Sequence, residues 1–239
     1  IQINPSRRLI LMIIFLFICI SFLPVEILNV DIPILNTLLS NKIFSSLFVL
    51  LCFLFIINGA NLIDGFNGLL AINLIIINSF LAYINLADGI NQFSVIIIGQ
   101  IIVLFSFLLF NFPSAKLFLG DSGSYLLGSL VALNVIITNN LNPDYSSFFF
   151  CILLFYLFFE VFFSFFRKII QNKSPIHPDN KHLHMILYEK ISLIFGKEKG
   201  NYINSLIINL GYLAFVLPAF VFAKDPVISR YWFFSLAAI

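Results

Sequence analysis

Charge is what this sequence has least of. Thirteen Lys and Arg and eleven Asp and Glu are spread over 239 residues, and they nearly cancel to a net +2. So little charge cannot coat a soluble surface, and no basic face is left for nucleic acid, so a nucleic-acid partner is not expected. Cysteine is scarcer still. Cys19, Cys52 and Cys151 each lie inside an apolar run, with no metal-ligand spacing and no loop-rich setting for disulfides. They are read as packing residues. No polar block is long enough to make a second folded unit, and no repeat, heptad seam or signal-peptide pattern is visible. Residues 1–239 are therefore read as one integral-membrane domain.

What fills the chain is apolar: 61% of residues, with a mean hydropathy of +1.05. A hydrocarbon core about 30 Å thick needs about 20 apolar residues to cross as a helix. Runs of that kind predict an all-α polytopic membrane helix bundle with about eight transmembrane spans: 9–28, 42–57, 69–87, 93–110, about 121–138, 147–166, 203–223 and a last one from 227. Alternation puts the N-terminal stretch and loops 58–68, 111–124 and 167–202 on one face. Ten of the thirteen basic residues lie there: Arg7, Arg8, Lys116, Arg167, Lys168, Lys173, Lys181, Lys190, Lys197 and Lys199. The positive-inside rule makes that face cytoplasmic, and it gathers every unusual polar loop on one side.

The chain is best read around 111–124, NFPSAKLFLGDSGS. Long apolar runs flank it, yet it carries a proline, a lysine, an aspartate and two glycines. The apolar segment after it is too short to cross alone, so the helix should begin at Asp121 or Ser122, both good N-cap residues. Free amides and the helix dipole at such an end favour a phosphate. A carboxylate beside a phosphate implies a cation between them. The plainer alternative, a capping aspartate in a tight turn, stays open at this point.

Two more loops carry polar constellations. In NGANLIDGFNG (58–68), Asn58, Asn61 and Asp64 are three apart and share a face if this end is helical. With Asn67 and two glycines they could hydrogen-bond a base or sugar. Polar capping of a helix end explains one Asn and one Gly, but not four polar residues in ten positions. SPIHPDNKHLHMILYEK (174–190) holds all three histidines, His177, His182 and His184. Zinc is disfavoured, because no Cys is near and a helical H-x-x-x-H is absent. Imidazoles beside Lys181 fit an anion better. Glu160 is a carboxylate within the sixth predicted span, where a functional role and a structural pairing are both open.

These three stretches resemble, in order, motifs of the polyprenyl-phosphate N-acetylhexosamine-1-phosphate transferases. NGANLIDGFNG is similar to the family's N-x-x-N-x-x-D-G-x-(D/N)-G loop, NFPSAKLFLGDSGS to its loop ending G-D-(S/T)-G-S, and SPIHPDNKHLH to its histidine loop. The resemblance implies that Asp121 binds magnesium, with manganese as the alternative. It also implies that Asn111 is an active-site asparagine, that Asn58, Asn61, Asp64 and Asn67 lie around the uridine nucleotide with Phe118 near the base, and that Lys181, His182 and His184 meet the diphosphate. The PDNKHLH form resembles the GlcNAc-type branch more than the muramoyl-pentapeptide branch. Departures are Asn67 where several members have Asp, Met185 where many have His, and Glu160 where Asp is usual. The family's acidic pair, expected just before a basic stretch like Asn4–Arg8, is absent, so spans and that pair are expected upstream of residue 1.

The expected function is transfer of a sugar-1-phosphate from a UDP-N-acetylhexosamine to polyprenyl (undecaprenyl) phosphate with release of UMP, in cell-envelope polysaccharide synthesis. The resemblance places it in a bacterial inner membrane with the site facing the cytoplasm, and allows a homodimer. An inactive truncated paralogue and a transporter or channel are the rival readings. A transporter would cluster its polar residues in broken helices near mid-membrane rather than in loops on one face.

Overall fold

A computed structural model describes residues 4–23, 25–174 and 181–237. Among these the chain is all helix and turn, in eleven helices: α1 Pro5–Phe22, α2 Pro33–Leu39, α3 Lys42–Ile63, α4 Leu69–Ala87, α5 Asn91–Asn111, α6 Gly120–Leu141, α7 Ser147–Leu153, α8 Phe155–Ile170, α9 Leu183–Phe195, α10 Lys197–Val221 and α11 Pro226–Ala237. The all-α membrane bundle is as expected, but the count of about eight spans is corrected. Five described helices, α3, α4, α5, α6 and α10, are long and apolar enough to cross a membrane, or six if α7 and α8 are one bent span.

The reasons are local. In α1 the polar Ser6, Arg7 and Arg8 occupy the first turn, so the apolar part is Leu9–Phe22, about 21 Å at about 1.5 Å per residue. The twelve residues of α11 reach about 18 Å. The expected sixth span breaks at Leu154, where α8 turns 73° from α7. Tyr156, Glu160, Ser164 and Lys168 recur every four residues of α8 and are buried, while Phe162, Phe163, Phe165 and Phe166 face outward. The helix therefore turns its polar stripe toward the protein and its phenylalanines away from it. Elsewhere helices outrun their apolar cores: α3 continues through Asn58 and Asn61, six residues past the expected end.

α3 and α4 form the centre. α3 packs against α1, α6 and α8, and α4 against α5, α6 and α10. Gly59 lets α3 touch the chain of α8, because a Cβ there would stand 2.2 Å from the Leu157 carbonyl oxygen. Such close backbone approach is how helices associate where lipid removes the hydrophobic incentive. Gly59→Ala is therefore expected to push α3 and α8 apart at about 1–3 kcal/mol of stability, the usual range for overpacking. An unchanged thermal unfolding curve in detergent would show that this contact is not made.

Buried amides join the remaining helices, a feature the sequence reading missed. The Asn134 amide donates to Asn78 Oδ1 at 3.1 Å and to Gln100 Oε1 at 2.6 Å. Asn85 donates to Thr138 Oγ1 at 2.9 Å, and Asn142 to Asn85 Oδ1 at 3.0 Å. Asn209 on α10 donates to the Leu69 carbonyl at 3.1 Å. Such bonds hold α4 to α5, α6 and α10.

Candidate active site

The site forms where the C-terminal end of α3, the N-terminal ends of α4 and α6, and the start of α1 meet. Asn61 sits on the last turn of α3. Its Nδ2 donates to Asp121 Oδ1 at 3.0 Å and to Ser124 Oγ at 3.1 Å. Asp64 is the C-terminal cap residue of α3, one turn on. Helix α6 starts at Gly120, so Asp121 lies in its first turn rather than at the expected cap. A carboxylate there is still favoured by the helix dipole. The two motif loops, 60 residues apart, thus meet through Asn61 and Asp121.

Arg8 completes this cluster. Its Nη1 lies 2.6 Å from Asp121 Oδ2, and its guanidinium carbon is 5.8 Å from the Tyr125 ring centre. Sequence reasoning had used Arg8 as one charge of the positive-inside bias and as part of the basic stretch Asn4–Arg8, not as a site residue. The available signal was its place beside a helix start, but nothing local named its partner 113 residues away.

Two asparagines fix the spacing of the loops. Asn111 is buried: its Oδ1 accepts from the Gly68 N–H at 2.7 Å and its Nδ2 donates to the Leu117 carbonyl at 2.7 Å. Gly68 has a φ of +78°, and a Cβ there would also stand 2.8 Å from the Phe112 ring, so glycine is required twice over. Asn67 donates to the Pro113 carbonyl at 2.7 Å, and its own N–H is taken by Asn201 Oδ1 at 2.8 Å. Asn58 turns back into its own helix, donating to the Leu54 carbonyl at 2.7 Å. Phe118 is 74% exposed and Lys181 is exposed; both are open to a ligand. His177 lies outside the described residues.

The histidine loop is anchored by Glu160. His182 Nδ1 is 3.0 Å from Glu160 Oε2, His184 Nδ1 is 3.4 Å from Oε1, and the Leu183 N–H donates to Oε1 at 3.2 Å. All three side chains are buried. Although two residues apart, the imidazoles stack in parallel at 5.4 Å, because His182 precedes α9 in extended backbone while His184 is inside it. Asn204 of α10 donates to the His184 carbonyl at 3.0 Å, and Phe66 of the second loop packs against the His184 ring at 5.6 Å and Tyr188 at 4.9 Å. The pairing alternative for Glu160 is thus the one observed, with the histidine loop as its partner. His184 Nε2 is buried without a hydrogen-bond partner among the described residues.

Burial, and after it the Asp121 charge, push the Asp64 carboxyl up to about 7. The folded protein therefore holds this proton to a higher pH than the unfolded chain, whose carboxyl titrates near 3.8. The Asp64 contribution to stability is full below that lower value and is lost as pH rises toward 7. In chelator, Asp64→Asn is expected to raise the melting temperature at pH 8 more than at pH 5, and magnesium should narrow the pH 8 gap. Equal shifts at both pH values would show that Asp64 is ionised throughout.

No group of three or more His, Cys, Asp or Glu side chains suited to a metal occurs among the described residues. Two neighbouring carboxylates remain, and they are hard oxygen donors. That set suits magnesium, which takes one or two carboxylates and fills its other positions with water and phosphate oxygens. It does not suit zinc.

The described residues thus form a helical membrane bundle that gathers carboxylates, amides and an arginine at one end, beside a buried histidine–carboxylate anchor. The sequence model of glycosyl transferase family 4 matches residues 1–139, and the chain belongs to that family. The chain is also 38% identical over 84 residues to the undecaprenyl-phosphate alpha-N-acetylglucosaminyl 1-phosphate transferase of Thermotoga maritima. That match covers 35% of this chain and 28% of the relative.

Proposed function

We propose that this chain carries the active site for transfer of a sugar-1-phosphate from a UDP-N-acetylhexosamine to polyprenyl phosphate, with release of UMP. The observation that carries the reading is the bond between Asn61 and Asp121, which brings Asp121 close enough for its charge to act on Asp64, at one end of a membrane bundle. Family membership and the name of the Thermotoga relative support the lipid acceptor and the aminosugar. The bundle gives the lipid a place to lie while its phosphate meets a water-soluble nucleotide sugar.

An oxygen of the lipid phosphate attacks the phosphorus that bears the sugar. The bond from that phosphorus to the bridging oxygen of the diphosphate breaks, and its electron pair leaves with UMP. Asp121 and Asp64 would hold magnesium; when bound, the ion neutralises the diphosphate and the departing UMP. Asn61 orients Asp121. Arg8, already against that carboxylate, is the cation placed to meet a second anion there. Asn111 and Asn67 keep the two carboxylate-bearing loops at one spacing. Glu160 sets the imidazoles of His182 and His184. The exposed Phe118 offers a stacking face to the base.

Transfer of radiolabelled sugar phosphate into extractable lipid by membranes carrying the protein tests the reaction directly. Absence of labelled lipid at any magnesium concentration, from folded protein, would overturn it. A transporter is less well supported, since the mid-bundle amides are bonded to one another rather than lining an open path.

The site end is further proposed to face the cytoplasm, on the basic bias of its loops. Ser114, in an exposed turn, provides the check. A cysteine placed there should react with a membrane-impermeant maleimide only after cells are opened. Labelling of intact cells would reverse the orientation.

A further inference from the structure

Helix α9 carries His184 in its first turn and meets α10 at Gly196. The two helices do not run side by side. Asn204 donates to the His184 carbonyl, and Gly200 packs on Ser192, where a Cβ would stand 3.1 Å from the Ser192 Cα. From His184 to Ser192 α9 advances about 12 Å, whereas from Asn204 to Gly200 α10 advances about 6 Å. Helix α9 therefore lies across α10 at a slant.

Charge marks the level of this crossing. Lys197 and Lys199 occupy the first turn of α10, and no further charged residue occurs before Lys224. Residues 200–221 of α10 reach about 33 Å, enough to cross a hydrocarbon core of about 30 Å. Gly196 and the end of α9 thus stand at the edge of the apolar layer, where lipid headgroups lie.

One face of α9 is apolar and uncovered. Leu183, Ile186, Lys190, Leu193 and Ile194 recur at helical spacing and all are exposed, Leu193 by 88% and Ile194 by 75%. His184 and Ile191, on the other side, are buried. The stem of Lys190 is long enough to carry its ammonium to water from an apolar stripe. Leu183 shows which way the stripe faces. It lines an apolar pocket with Phe159 of α8 and Ile207 and Phe215 of α10, and those two α10 residues lie about 10–22 Å into the span from Gly200.

We infer that α9 is an interfacial helix, with Leu183, Ile186, Leu193 and Ile194 seated on the bilayer at the boundary of headgroups and acyl chains on the active-site side. A contiguous exposed apolar stripe marks an interaction surface, and an apolar face with a lysine at this level suits a membrane surface. The occupant is lipid rather than a second protein, because at Leu183 the stripe joins the side of α10 on which Ile207 and Leu210 are exposed within the span. The same seating holds His184, on the opposite face of α9, at the level of the headgroups.

Tryptophan fluorescence of the whole chain in phospholipid nanodiscs tests this. Leu193→Trp and Ile194→Trp each add one indole to the native Trp232, whose emission is subtracted with the wild type. Both replaced side chains point outward, so the variants should melt as the wild type does. The added emission should be quenched by phospholipid brominated near the glycerol end of its acyl chains. Iodide should quench it at least about fivefold less than free N-acetyltryptophanamide, as for an indole seated in the interface. The inference is overturned if iodide quenches a folded variant as fully as the free amide, which would place the stripe in water. It is overturned equally if neither quencher reaches the added indole, which would show a second copy or another protein covering the stripe. Should one variant fail to fold, the other decides.

Discussion

Asp121→Asn is expected to abolish nearly all sugar-phosphate transfer while leaving the fold intact. The fold should survive because the Asp121 side chain is 62% exposed and its contacts are few. Asn keeps an Oδ1 to accept from Asn61. The lost ion pair with Arg8 is partly exposed, and such pairs contribute about 0–1 kcal/mol. The lost dipole interaction at the start of α6 adds about 0.3–1 kcal/mol. The rate should fall far more, on the order of 10²–10³-fold, the range for removing one group that stabilises charge in a transition state. Magnesium dependence should weaken with it. Asp64→Asn should behave differently, because that side chain is partly buried and protonates near neutrality. As the second carboxylate proposed to hold the ion, it should raise the magnesium concentration needed for half-maximal transfer rather than abolish transfer. Labelled transfer across a magnesium titration separates the two. A near-normal Asp121→Asn enzyme with unchanged magnesium dependence would return Asp121 to an ordinary role at a helix end.

The second large effect is expected at Glu160. Glu160→Ala removes the common acceptor of two imidazoles and the Leu183 N–H, all at the buried start of α9. Each buried donor left without an acceptor costs about 1–3 kcal/mol. For a chain of this size each kcal/mol lowers the melting temperature by about 2–4 °C. The variant should melt several degrees lower, lose transfer, and become sensitive to protease just before α9. Glu160→Gln keeps an oxygen for Leu183 but exchanges a second acceptor for a donor, so it should fall between the two. Full activity and stability in Glu160→Ala would show that the histidine loop is held by other means. A loss of transfer in both variants at normal stability would instead place Glu160 in the chemistry.

Some of this site was legible beforehand. The bounds of α4, Leu69–Ala87, are those expected, because Gly68 and Asp88 punctuate an uninterrupted apolar run. Asn61 and Asp64 were candidates from their spacing and Asp121 from its place at a helix start in a polar loop, and the structure brings them together. Asn111 and Asn67 were singled out as site residues; in the structure their side chains hold main chain of the neighbouring loop. That distinction rests on which carbonyl or N–H lies opposite, and a one-dimensional pattern does not contain it. The α7–α8 break was missed because a run of phenylalanines has the same hydropathy whether it crosses a membrane or turns 73° within it.

The sequence by itself determined that this is a helical membrane protein, where its apolar runs lie, and which three loops are unusually polar. Hydropathy and loop chemistry are local, so they can be read in order along the chain. Only the tertiary structure decided which polar groups are partners: Arg8 with Asp121, Glu160 with His182 and His184, Asn134 with Asn78. Inside a bundle surrounded by lipid, a buried polar side chain such as Glu160 or Asn134 has no water to fall back on and must find another within reach. Which one it finds depends on helix packing, set by contacts such as Gly59 against Leu157, between residues nearly a hundred positions apart.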